Sequence, residues 1–341
     1  MALPRRAGGR PILILESIGI TIGIATGLLG ARQLAHLAIL RGLRAPRITH
    51  ALKAADLSAV ADRARAVRIP GPGGRGLSGW LVMPPDGNGR AVGASVPAVL
   101  ALHGWGGNAA MMKPVVPPLS AAGFAVLLVD ARCHGLSDGE SFTSMPRFAE
   151  DIAAGLAWLR RQPGIDADRL ALIGHSVGAA ATLLHASAHR DVRAVISLSS
   201  FAHPREVMRR YMDEKRVPYP VIGWYVMRHV QRVIGTGFDA IAPLRTITLA
   251  RCPVLLVHGL QDATVPFEDA RRLQAASADA GLLPVPGDHD LSEALAPHAG
   301  ELVGFLTCAF EDRPAADSAP GLRLAVRQHH RRKPGGVPAG P

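Results

Sequence analysis

The feature that most constrains this chain is a glycine-flanked turn between a short apolar strand and a helix. The predicted strand Leu170–Ile173 runs directly into Gly-His-Ser-Val-Gly at 174–178, and a helical pattern continues to Ala188. Glycines on both sides of Ser176 indicate a turn so tight that larger side chains would collide with the strand or the helix. Such a turn lifts the serine hydroxyl out of the backbone, which makes Ser176 a candidate nucleophile.

The rest of the chain alternates short apolar strands with helical segments. Strands are predicted at 77–83, 98–102, 124–129, 170–173, 192–198, 254–257 and 282–285, and helices at 108–122, 146–161, 177–188 and 267–280. This rhythm predicts an α/β fold whose mostly parallel sheet is covered by helices on both faces. Residues 201–250 interrupt it with all three tyrosines of the protein and several methionines, which favours a helical cap inserted over the site. An ordinary crossover helix with a packed aromatic face is the alternative.

The two ends of the chain differ from this core. A basic start, 1–10, precedes an apolar run, 11–31, whose only charge is Glu16. A run of about 20 apolar residues predicts a single-pass transmembrane anchor and a membrane localisation, with a cleaved signal peptide as the alternative. Arginines on both flanks leave the side of the catalytic domain open. Gly19, Gly23 and Gly27 lie on one helix face, so a homodimer is a further open alternative.

The same sequence features predict the domain boundaries. We expect a linker and lead-in segment at 32–74, a catalytic domain at 75–310 and a disordered basic tail at 311–341. The formal net charge is +11. A nucleic-acid partner is not expected, because no helix-turn-helix, zinc-finger or RNA-binding signature accompanies the charge.

Two further loops supply partners for the serine in a suitable order. Asp262 follows the strand 254–257, and His289 follows the strand 282–285. We predict that His289 is the general base and that Asp262 accepts a hydrogen bond from its imidazole and fixes its tautomer. Asp288 and Asp290 adjoin His289, but adjacency in sequence does not aim a carboxylate at the ring.

A glycine-rich turn, His-Gly-Trp-Gly-Gly at 103–107, follows the strand 98–102. Turns of this kind give a backbone N–H to an oxyanion hole, so the predicted donors are the N–H groups of Trp105 and Val177. His103 is expected to hold this loop by hydrogen bonds rather than to react.

Together these motifs resemble the α/β-hydrolase superfamily over roughly residues 75–310. The resemblance also rests on Asp-Ala-Arg-Cys-His-Gly-Leu-Ser at 130–137, where Cys133 replaces the usual glycine. The region from Arg47 to Leu81 is similar to membrane-anchored bacterial members, which are esterase-like or dienelactone-hydrolase-like. The resemblance implies about eight mostly parallel strands, no metal and no organic cofactor, but it does not fix the substrate. We expect a small-molecule acyl ester as substrate, because the Met- and Tyr-bearing segment 201–250 favours an apolar acyl or aromatic group.

Three functions remain open at this point. The first is hydrolysis of an apolar carboxylic ester or thioester through an acyl-enzyme. The second is amide or peptide cleavage, or acyl transfer, with the same three residues, since the order of Ser176, Asp262 and His289 cannot separate these reactions. The third is a non-catalytic, membrane-tethered binding module, because one fold hosts many functions.

Overall fold

A single sheet organises the part of the chain that our computed structural model describes, residues 10–50, 54–86 and 94–311. Its strands are β1 Ala64–Pro70, β2 Gly76–Val82, β3 Val96–Leu102, β4 Ala125–Val129, β5 Ile165–His175, β6 Ala194–Leu198, β7 Val254–Gly259 and β8 Ala280–Val285. The order is β1-β2-β4-β3-β5-β6-β7-β8, and β2 pairs antiparallel with both β1 and β4. The other pairings are parallel, so the carboxyl ends of six strands share one edge.

Helices cover both faces of this sheet. The α-helices are α1 Arg10–Gly42, α2 Val116–Ala121, α3 Met145–Leu159, α4 Val177–Ala188, α5 Pro204–Glu214, α6 Trp224–Ile234, α7 Phe238–Ile241, α8 Pro243–Leu249, α9 Phe267–Ala276 and α10 Ala299–Glu311. Side chains alternate across a strand, and the central strand β3 therefore feeds two separate cores. Leu100 and Leu102 join the core under α3 and α4, whereas Val99 and Ala101 join the core under α2 and α10. The predicted α/β fold is confirmed.

The observed secondary structure differs from the predicted one at two places. The predicted helix 108–122 divides into a 3-10 helix, Ala109–Val115, followed by α2, because Pro114 and the prolines after it remove backbone donors. The sheet also begins earlier than the motifs suggest. Strand β1, which pairs with β2 along its whole length, lies inside the segment predicted to be a linker.

The prediction of a transmembrane anchor at 11–31, and with it a membrane localisation and a membrane partner, is wrong. Across the ranges that the structure describes, no helix combines the length and the apolar character that crossing a bilayer requires. Helix α1 does not stop at the end of the apolar run but continues through Arg32 and Arg41 to Gly42. Its carboxyl-terminal part packs on the protein, where His36 contacts His229 of α6 at 2.8 Å.

Residues 201–250 form four α-helices, α5 to α8, between β6 and β7. Met212, Met227, Val230 and Phe238 are buried together with Leu43, just beyond α1, in a small core of their own. Tyr211 and Trp224 lie at the surface of this segment and are more than half exposed. The buried methionines of this segment therefore pack the cap itself.

The basic tail predicted at 311–341 lies, apart from Glu311, outside the described residues, as do residues 1–9. The predicted dimer face at Gly19 and Gly23 involves side-chain positions that are not described. The homodimer and the domain boundaries therefore remain predictions.

Candidate active site

Ser176 occupies a strained turn between β5 and α4. Its φ is +54° and its ψ is −116°, a region that residues other than glycine seldom adopt. A Cβ added to Gly174 would collide with the backbone of Gly178, and one added to Gly178 would collide with the backbone of His103. The Ser176 N–H donates to the carbonyl oxygen of Leu198 on the neighbouring strand at 2.8 Å. The turn is therefore held by close backbone approaches that only glycine permits.

The structure brings the three sequence-predicted side chains into one hydrogen-bonded line. The Ser176 hydroxyl lies 3.1 Å from Nε2 of His289, and the Nδ1–H of His289 donates to Oδ2 of Asp262 at 2.8 Å. His289 lies 113 positions after Ser176 and 27 positions after Asp262 in sequence. They meet because β5, β7 and β8 are parallel and end at the same edge of the sheet. This arrangement can remove a proton from the serine hydroxyl as the oxygen attacks an electrophile.

The environment of Asp262 favours its charged form. Burial would raise the pKa of this carboxyl, but hydrogen bonds from His258 and His289 and from the Val265 N–H outweigh burial, and the pKa is lowered overall. Oδ1 accepts from the N–H groups of Thr264 at 2.9 Å and Val265 at 2.7 Å. A carboxylate with fixed donors on both oxygens stays ionised and holds the imidazole in one orientation.

His258 was missed by sequence reasoning as a member of this cluster. It is buried at the end of β7, its Nε2–H donates to the carbonyl oxygen of Val265 at 2.8 Å, and the same nitrogen lies 3.4 Å from Oδ2 of Asp262. The only signal in the sequence is its spacing, four residues before Asp262.

The two predicted oxyanion donors flank the serine. Val177 is the first residue of α4, and an N–H at that position has no acceptor within its own helix. Gly104, which precedes Trp105, packs so closely on the site that an added Cβ would lie 3.0 Å from the Ser176 Cβ. The next N–H groups are used within the loop, because Gly106 donates to Nε2 of His134 and Gly107 donates to the Gly104 carbonyl. The Trp105 N–H is thus carried by a loop with little freedom to turn.

Buried imidazoles fix this loop in place. Nδ1–H of His103 donates to the Gly104 carbonyl at 2.6 Å, and its Nε2 accepts from the Ala131 N–H at 3.1 Å. Burial, reinforced by the neighbouring His134, lowers the pKa of His103 to about 3. A neutral ring with a fixed tautomer is required here, because one nitrogen must donate while the other accepts. His103 thus has the structural role expected from the sequence.

The segment after α1 is tied to the same region. Nε2 of His50 contacts Oδ2 of Asp130 at 2.9 Å, and Asp130 is fully buried. Its carboxylate also accepts from the N–H groups of Ala109 and Leu136. Arg47 donates to the carbonyl oxygens of Gly135 and Ser137. Residues 47–50 therefore brace the loop at 130–137, which in turn braces residues 103–107, the predicted oxyanion loop.

His175, the residue before the serine, makes a contact that the motif did not suggest. Its Nε2–H donates to the backbone carbonyl of His289 at 2.8 Å, and the two rings lie 4.9 Å apart. Burial, followed by repulsion from His289, lowers the pKa of His175. A neutral imidazole thus joins the serine turn directly to the loop that carries the candidate base.

No group of three or more histidine, cysteine, aspartate or glutamate side chains in the described residues is placed to hold a metal ion.

Comparison with known proteins agrees with this fold. The family model described as serine aminopeptidase, S33, matches residues 93–231, which include the oxyanion loop and the serine turn. The chain belongs to the α/β-hydrolase superfamily of serine hydrolases.

Its relatives and structural neighbours come from several organisms. The uncharacterized protein Rv2307c of Mycobacterium tuberculosis is 30% identical over 222 residues, covering 65% of this chain and 70% of that protein. The uncharacterized protein YfhR of Escherichia coli is 25% identical over 241 residues, covering 70% and 77%. The esterase Pf2001 of Pyrococcus furiosus superposes with a TM-score of 0.60 at 22% identity, over 79% of this chain and 98% of that one. Est1E from Butyrivibrio proteoclasticus gives 0.57 at 24% identity, over 71% and 100%.

Proposed function

We propose that this protein hydrolyses a carboxylic ester or thioester through an acyl-enzyme formed on Ser176. The observation that carries the proposal is the unbroken line from the serine hydroxyl to His289, at 3.1 Å, and on to Asp262, at 2.8 Å. Pf2001, a neighbour in fold, is an esterase, which makes ester hydrolysis the first activity to assay. The fold alone does not choose the substrate.

The proposed reaction has two halves. His289 Nε2 takes the Ser176 proton while Oγ attacks the substrate carbonyl carbon, and the resulting oxyanion accepts hydrogen bonds from the N–H groups of Trp105 and Val177. The imidazolium then gives its proton to the leaving oxygen or sulfur as that bond breaks. In the second half a water molecule gives a proton to His289 as its oxygen attacks the acyl carbon. The bond from that carbon to Ser176 Oγ then breaks, His289 returns the proton to Oγ, and the acid is released. The amino-terminal end of α4, which begins at Val177, favours the negative charge on the oxyanion.

Labelling with a fluorophosphonate probe tests the nucleophile. The wild-type chain should be labelled and should hydrolyse short p-nitrophenyl esters, and Ser176→Ala should do neither while keeping its melting temperature. A correctly folded wild type that resists the probe would refute the proposal and would favour the non-catalytic binding module.

Amide cleavage is the second candidate, because the matching family model is described as a serine aminopeptidase. The proposed chemistry is the same except that His289 protonates a leaving nitrogen. Aminoacyl p-nitroanilides and p-nitrophenyl esters, assayed side by side, separate the two. A kcat/KM that is higher for the anilides would replace the esterase proposal with a peptidase one.

A further inference from the structure

A cleft of about 440 Å³ is lined by residues that follow the loop 103–107 and the candidate base in sequence, and its lining includes no residue of the cap. Leu57, Met111 and Pro114 contribute apolar surface, and Lys113, Asp290 and Ser292 contribute polar groups. Neither Ser176 nor His289 lines this cleft, so it is a feature additional to the hydrogen-bonded line. Its size lies within the range of roughly 300–1,000 Å³ that is usual for small-molecule sites.

The two walls of the cleft continue the two segments that flank the serine. One wall is the 3-10 helix Ala109–Val115, which follows the oxyanion loop. A Cβ added to Gly107 of that loop would lie 2.9 Å from the sulfur of Met111, so this methionine reaches back onto the loop. The opposite wall, Asp290 and Ser292, follows the candidate base directly in sequence.

A narrow recess adjoins the cleft. It shares Met111, Pro114, Asp290 and Ser292 with the cleft, and its lining also includes His175, the residue before Ser176. The recess holds only about 20 Å³, which is too small for a substrate group, but it places the lining of the cleft and the turn that carries the proposed nucleophile around one space.

We propose that this cleft binds the leaving group of the substrate, and that this group is a bulky, largely apolar alcohol or thiol. The inference rests on the proposed acyl-transfer function. In that reaction the oxyanion occupies the side of Trp105 and Val177, and the leaving oxygen or sulfur must approach Nε2 of His289 to receive its proton. Asp290 follows His289 directly in sequence and lines the cleft, and for this reason the leaving group is assigned to the cleft.

The composition of the walls sets the class of leaving group. Met111 is 47% exposed, and together with Leu57 and Pro114 it offers apolar surface that is more favourably covered by an aryl or branched alkyl group than by water. A methyl or ethyl alcohol would leave most of this space unfilled. Lys113 and Asp290 can contact polar substituents of the bound group.

Esters that share one acyl group and differ in the alcohol test the proposal. The measured quantity is the ratio of kcat/KM for 2-naphthyl butyrate to that for methyl butyrate. Because both esters form the same butyryl-enzyme, the ratio reports on binding and acylation and not on deacylation. We expect Met111→Trp, which fills the cleft, to lower the ratio about tenfold or more, as a misfit of about one methylene in an apolar pocket costs about 10- to 200-fold.

Two further variants complete the test. Ser292→Phe fills the cleft from the opposite wall and should lower the same ratio, which keeps the test decisive if Met111→Trp does not fold. Val221→Trp adds the same ring at a position on the cap that is 74% exposed, and it should leave the ratio unchanged. An unchanged ratio in both folded cleft variants would overturn the assignment, as would a loss that follows the length of the acyl chain instead.

The two proposals fail in different ways. Absence of fluorophosphonate labelling in the folded wild type would remove the proposed function and the cleft assignment with it. Normal labelling and ester hydrolysis, combined with cleft variants that do not discriminate between alcohols, would remove the cleft assignment alone.

Discussion

Replacement of Asp262 by asparagine should inactivate the site through the wrong tautomer of His289, and the structure shows why. Oδ1 of Asp262 accepts two backbone hydrogen bonds, from Thr264 and Val265. The asparagine carbonyl oxygen must keep these donors, so the amide nitrogen takes the place of Oδ2 opposite Nδ1 of His289. An amide N–H cannot accept a hydrogen bond. The imidazole therefore moves its proton to Nε2, where it can no longer accept the proton of Ser176.

The size of the effect follows from the cost of reversing the amide. The reversed orientation would restore the active tautomer, but it would leave two backbone N–H groups without an acceptor, at about 1–3 kcal/mol each. A total of roughly 2–6 kcal/mol reduces the active population by about 30-fold to about 10⁴-fold. We expect kcat/KM to fall within this range while the melting temperature changes little, because the backbone hydrogen bonds are kept.

The assay is kcat/KM for p-nitrophenyl butyrate at fixed pH, together with thermal unfolding. Asp288→Asn is the matched control, because Asp288 adjoins His289 but its Oδ1 accepts only from the Asp290 N–H, a bond that asparagine also makes. Activity of Asp262→Asn above about a tenth of the wild-type value would refute the reasoning, since the range worked out above begins at about 30-fold. A loss confined to Asp288→Asn would move the acidic role to that residue.

Three other predictions concern the residues around this line. The pKa of His103 is lowered in the folded protein, so below about pH 6.5 the unfolded chain binds more protons than the folded one. The free energy of unfolding of wild type, measured by urea titration relative to His103→Asn, should therefore fall as the pH is lowered from about 7.5 to about 5. A difference that stays constant with pH would contradict this. His175→Phe leaves the His289 carbonyl without its donor and should lower kcat by about 5- to 150-fold, corresponding to about 1–3 kcal/mol. His175→Gln, which restores an N–H near the same place, should recover most of that loss, and equal losses would argue against the donor role. Gly259→Ala puts a Cβ against the backbone carbonyl of Asp288; it should lower both the melting temperature and kcat, the latter by about 100-fold, and wild-type values for both would show that the base loop adapts.

The sequence predicts the sheet and the serine turn well, because both depend on residues that are close together in sequence. Apolar runs of four to six residues locate β3, β4 and β7, and the two glycines around Ser176 require the tight turn. The order of Asp262 and His289 after successive strands was enough to nominate them, since parallel strands bring their carboxyl ends together.

Contacts between distant segments could not be predicted in this way. The hydropathy of residues 11–31 favoured a membrane helix, but α1 continues into polar residues. Its carboxyl-terminal part packs against α6 through the contact of His36 with His229, which is 193 positions away in sequence. The hydrogen bond from His175 to the His289 carbonyl joins residues 114 positions apart. The tyrosines and methionines of residues 201–250 favoured a cap over the site, but they did not show that Met212 and Met227 fill the core of the cap itself. The cleft beside Met111 has no signature in the sequence at all.

The strained backbone at Ser176 has a consequence for how this protein can change under selection. A serine held at a positive φ costs roughly 1–3 kcal/mol, which is a sizeable part of a typical folding free energy of about 5–15 kcal/mol. Glycine at position 176 would relieve that strain and would remove the hydroxyl in the same step. A library screened only for thermal stability should therefore enrich inactive variants at this position. A search for a more stable variant has to screen for turnover as well.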